Sequence, residues 1–66
     1  MWNYEGLTVS GLYLDMIPVK GKVYMSRVKY GGGVSHHLML DEPVEVFGKM
    51  RDRVTLDMRE VTQVHG

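Results

Sequence analysis

The chain has no cysteine and no alanine, only two prolines, and no excess of either charge. Without cysteine there can be neither a disulfide nor a thiolate metal site. A chain of 66 residues buries only about 60% of its unfolded surface, so it depends on packing or on a second subunit for stability. A homo-oligomer, a dimer before anything larger, is therefore expected. The lack of alanine takes away the best helix former. No apolar run approaches the roughly 18 residues that span a bilayer. The opening Met1-Trp2-Asn3-Tyr4-Glu5 has neither the basic nor the apolar stretch of a signal peptide. Together these absences predict a cytoplasmic chain, complete from its own Met1, with no membrane partner.

Valine supplies what alanine does not. It stands at positions 9, 19, 23, 28, 34, 44, 46, 54, 61 and 64, and β-branched side chains suit a pleated, half-buried surface. Eight glycines punctuate the chain at intervals that fit short strands. The expected fold is all-β, a single domain over residues 1–66, with at most one short 3₁₀ turn at Asp57–Val61.

The pattern predicts an extended stretch over Leu7–Leu14, bent at Gly11. A second stretch at Met16–Val19 is held extended by Pro18, and Lys20-Gly21 reads as a turn or a strand entrance. Lys22–Tyr30 is the clearest strand. Val23 and Met25 share one parity while Val28 and Tyr30 share the other, which requires a bulge, placed near Ser26-Arg27. Gly31-Gly32-Gly33 is a flexible connection. In the next strand Val34, His36, Leu38 and Leu40 alternate onto one face. Asp41-Glu42-Pro43 signals a turn, Val44–Phe47 a short strand ended by Gly48, and Lys49–Arg53 a polar turn. Val54, Leu56 and Met58 alternate inward, and Arg59–Val64 ends the chain as a last strand. Of the methionines at 16, 25, 39, 50 and 58, core filling is expected before contact surface. Trp2 reads equally as a cap on the core and as a partner anchor.

The run Arg53-Val-Thr-Leu-Asp-Met-Arg-Glu-Val-Thr-Gln-Val64 resembles the ending of SH3-like barrels, in which a fourth strand passes through one 3₁₀ turn into a short fifth. Pro18-Val-Lys-Gly-Lys-Val23 resembles the lead into their second strand. The resemblance covers about two-thirds of the chain and implies a small five-stranded SH3-like barrel; an OB-like barrel is the alternative architecture. It concerns the fold alone and implies no function.

Charge is blocked rather than mixed. Lys20, Lys22, Arg27 and Lys29 run without an acid among them, Asp41, Glu42 and Glu45 follow, and then Lys49, Arg51 and Arg53. Cations and aromatics interleave at Lys20, Lys22, Tyr24, Arg27, Lys29 and Tyr30, a pattern that suits phosphates and stacked bases. If the flanking strands pair, Arg27, Lys29, Tyr30 and His36 or His37 gather at the base of Gly31, Gly32 and Gly33, whose amides could cradle an anion. No Gly-Lys-Ser/Thr follows, so the loop is not a P-loop. His36 and His37 are adjacent and point to opposite faces of a strand. No metal site and no cofactor is expected. Asp41, Glu42, Asp57 and Glu60 read as turn and cap carboxylates.

No nucleophile setting is visible, and the core is too small to shelter a water-excluded site in one subunit. The chain is thus expected to be no enzyme. The first functional expectation is a protein-interaction module, a small regulator or inhibitor of the type phage and mobile-element genes encode, docking on a larger protein. The alternative is nucleic-acid binding (DNA or RNA) along Lys20–Tyr30. The third is capture of a phosphorylated ligand or nucleotide at Gly31–Gly33.

Overall fold

The computed structural model describes residues 2–65. Five antiparallel strands form one sheet: β1 (Thr8–Tyr13), β2 (Ile17–Val28), β3 (Val34–Val46), β4 (Lys49–Asp57) and β5 (Val61–His65). A single 3₁₀ turn, Met58–Glu60, separates the last two. The strand order is β4-β3-β2-β1-β5. No helix among the described residues is long and apolar enough to cross a membrane.

The first four strands are a meander of hairpins, and β5 returns beside β1, pairing Thr8 with His65 and Val9 with Val64. In a flat sheet β1 and β4 would lie about 14 Å apart, three strand spacings. Instead β1 rests against β4, so the sheet curls over its inner face. Gly11 permits this approach. A Cβ there would meet the Glu60 carbonyl oxygen and stand 2.8 Å from Leu56 Cδ1. Gly11 is also where the β1–β5 register shifts. Among the described residues β4 and β5 share no ladder. The 3₁₀ turn between them is held by the Asp57 amide, which donates to Glu60 Oε1 at 2.8 Å.

The core is aliphatic: Val9, Val19, Val23, Leu38, Leu40, Val54 and Leu56, with Tyr4, Tyr13, Ile17, Val44 and Val61 packed against it. In the Val34–Leu40 alternation His36, Leu38 and Leu40 are buried as expected and Val34 is half-buried, while Ser35, of the opposite parity, is buried as well. Four expectations are corrected. Lys20-Gly21 is neither a turn nor a strand entrance but lies inside β2 (Ile17–Val28), paired to Ser10 and Val9. The β2 bulge sits at Tyr24, between the Val23–Leu38 and Met25–His37 pairs, not at Ser26-Arg27. Asp41-Glu42-Pro43 stays within β3 as an interruption of the β3–β4 ladder, which breaks between Met39 and Val44. Lys49–Arg53 is strand, not turn, because the chain reverses in the two residues Phe47-Gly48. The methionines also depart from expectation. Met16, Met25, Met39 and Met50 are exposed, and only Met58 is half-buried.

Candidate functional site

The N-terminal segment is sewn onto β2. The Gly6 amide donates to the Val23 carbonyl and the Val23 amide to the Leu7 carbonyl, both at 2.9 Å. This brings Tyr4 and Glu5 beside Ser26. The Tyr4 amide donates to Ser26 Oγ at 3.1 Å, and the Ser26 amide donates to Glu5 Oε2 at 2.9 Å. Ser26 Oγ lies 2.8 Å from His36 Nδ1, and the His36 ring stacks on Tyr4 at 4.6 Å and 12°. With the Ser26 hydroxyl donating and Nδ1 accepting, the proton of the neutral imidazole sits on Nε2. That nitrogen has no partner.

A serine and a histidine at this distance invite comparison with a nucleophile and its base. Both are buried, however, with His36 at 0% exposure, and Glu5 holds the serine backbone rather than the imidazole. The arrangement locks the N-terminal segment to the β2–β3 hairpin. His36 therefore leaves the candidate binding set, because it points into the core. His37 stays. Among the described residues no group of three or more His, Asp or Glu could hold a metal.

Burial, reinforced by the neighbouring His37 charge, holds the His36 imidazole below its ordinary value of 6.5. The folded protein thus takes up this proton less readily than the unfolded chain. His36 contributes stability that is complete above pH 6.5 and is lost as the pH falls from there through the lowered folded value. The titratable neighbours are Tyr4, Glu5 and His37. The melting temperature is expected to fall from pH 7 to about pH 5, with a slope in stability of at most ~1.4 kcal/mol per pH unit. His36→Gln should flatten that slope, and an unchanged slope would assign the effect to other groups.

The opposite side of the sheet carries most of the remaining candidates. The register places Thr8, Lys22, Met39 and Arg53 in one cross-strand row. Met25, His37 and Thr55 form the next, and Arg27, Ser35 and Asp57 the one after. Lys20 stands opposite Ser10 on β1. Tyr24, the extra residue of the bulge, leans on His37 at 6.1 Å and 44°, and His37 Nδ1 lies 3.0 Å from Thr55 Oγ1. Two rings, tilted against each other, are thereby held on the face. These rows contain one carboxylate, Asp57, which Lys29 engages at 2.9 Å and Arg59 approaches at 4.0 Å. Lys20, Lys22, Arg27 and Arg53 are left as cations on the face, so a chain of zero net charge presents a cationic sheet surface.

The glycine loop is only partly the predicted cluster. Arg27, Val28, Lys29, Ser35 and His37 line a shallow depression of about 290 Å³, so three of the expected residues do meet. Lys29, though, is committed to Asp57, and the Gly32 amide is used internally, donating to the Lys29 carbonyl at 3.0 Å. Gly31, Gly32 and Gly33 all have positive φ. Tyr30 is fully solvent-exposed. Arg53 and Met39 were missed in the sequence because only the β2–β3–β4 register joins them to Lys22. The outward parity of Arg53, between a polar run and the inward Val54, was the one available signal.

Compared with known proteins, the chain matches no family, no curated protein and no solved structure.

Proposed function

We propose that this protein is a binding module for single-stranded nucleic acid, taken on the outer face of β2, β3 and β4. The observation that carries this reading is the cross-strand row Lys22–Met39–Arg53 beside the Tyr24–His37 pair. Lys22 and Arg53 stand two strand spacings apart, about 10 Å, with an exposed thioether between them and two planar rings alongside. Cations on such a face hold phosphates while the rings offer stacking surface to bases of any identity. A sheet face is open rather than protruding, which favours a strand with accessible bases over the grooves of a duplex.

With four cations engaged, log K is expected to fall against log salt with a slope of about −3, from ~0.7 per neutralised phosphate on a single strand. Fluorescence anisotropy with labelled DNA and RNA oligonucleotides across a salt series measures it. Absence of binding at low salt would sink the reading.

A further inference from the structure

The strands run so that the β1–β2 and β3–β4 turns lie at the same end, opposite the glycine loop. Between them is a groove of about 650 Å³, lined by Leu12, Pro18, Val19, Pro43 and Val44. It opens because the β2–β3 ladder reaches only Gly21–Leu40 and β3 then swings away toward β4. Lys20 stands on one rim, and Asp41 and Glu42 on the other.

The turn beside this groove is locally ill-suited to its residues. Phe47 and Gly48 reverse the chain with φ of 51° and 81°. Such a turn favours Asn-Gly, and a bulky side chain at positive φ is an outlier. No burial among the described residues compensates, since Phe47 is 79% exposed and Met50, on the same hairpin, 66%. Strain held by an exposed aromatic directs attention outside the chain. Two cations stand on one strand of this tip, Lys49 opposite Val46 and Arg51 opposite Val44, with Glu45 opposite Met50 between them. An apolar knob with two cations and an apolar groove with two carboxylates on its rim therefore occur on one polypeptide, at one end of one sheet.

The geometry points to a second copy of this chain as the occupant, in a two-fold dimer in which the Phe47 tip of each protomer seats in the other's groove, Lys49 and Arg51 facing Asp41 and Glu42. Self-complementary surfaces of this kind close after one pairing. The contact touches the outer face only at Lys20 and leaves Lys22, Tyr24, Arg27, His37 and Arg53 free, so it does not rest on the nucleic-acid reading.

Analytical ultracentrifugation tests it. The wild-type chain is expected to sediment as a dimer at about 100 μM and to dissociate on dilution. Phe47→Asn should give a monomer whose melting temperature matches or exceeds that of the dissociated wild type, because asparagine accepts the turn conformation. Reversing Lys49 and Arg51 to Glu, or Asp41 and Glu42 to Lys, should each weaken association about tenfold or more, and combining the two sets should restore it. A wild type that is monomeric throughout, a Phe47→Asn variant that dimerises as tightly as the wild type, or charge sets that fail to rescue one another would overturn the proposal.

Discussion

Reversing Lys22 and Arg53 together to Glu is expected to weaken binding of a single-stranded oligonucleotide by roughly two orders of magnitude, still measurable at low salt, while leaving the fold intact. Both side chains are exposed and neither takes part in an ion pair among the described residues, so their loss removes no structural contact. Neutralising two phosphate contacts, at ~0.7 each on the log–log salt slope, costs about 60-fold in affinity at roughly 50 mM salt. Reversal adds repulsion to that loss. The salt slope itself should drop from about −3 to about −1.5, since two of four released counterions disappear. The change of slope is the more telling readout, because misfolding would lower affinity without leaving a shallower slope in the remaining active protein. A double variant that binds as tightly as wild type would place the site elsewhere. Tyr24→Ala should act differently, weakening binding by about 1–3 kcal/mol through lost stacking and leaving the slope unchanged.

The second large effect concerns the fold. Gly11→Ala puts a methyl group against the Glu60 carbonyl oxygen and 2.8 Å from Leu56 Cδ1. The backbone oxygen cannot rotate away as a side chain could, so β1 must retreat from the 3₁₀ turn or the turn must move. Substituting glycine by alanine gains about 0.4–1 kcal/mol by narrowing the unfolded ensemble, while overpacking of this kind costs about 1–3 kcal/mol and more where backbone is struck. The cost wins, and it bears on a small total. At about 0.05–0.15 kcal/mol per residue, 66 residues give roughly 3–10 kcal/mol. Urea unfolding should show a markedly lower midpoint with an unchanged m value. An unmoved midpoint would mean that β1 does not lean on the turn as closely as described.

How far the sequence could be read depended on whether a feature is written locally. The Val34, His36, Leu38, Leu40 alternation sits on one side of one strand and was legible as it stands. The parity conflict in β2 showed that a bulge was needed. Its position was decided elsewhere, by Ser26 turning inward to meet His36, and Val28 and Tyr30 share that inward parity only to run past the end of the core into solvent. Lys49–Arg53 looked like a turn because it lacks an apolar pattern. A ladder standing away from the core needs backbone hydrogen bonds and no such pattern, so its strand character left no trace in composition. The binding face was half visible for a similar reason. Lys20, Lys22, Tyr24 and Arg27 share one strand, while Arg53 and Met39 join them through pairings made after the chain folds. His36 was drawn into the candidate set by its adjacency to His37, although its own parity already placed it with Leu38 and Leu40.

The Ser26–His36–Tyr4 contact has an optical consequence. Trp2 is the chain's only tryptophan, and it is partly exposed, two residues before the tyrosine whose ring lies on the histidine and whose amide is held by the serine. Trp2 emission followed from pH 7 to about pH 5 is therefore the expected label-free readout of the His36 titration, and His36→Gln should remove the change.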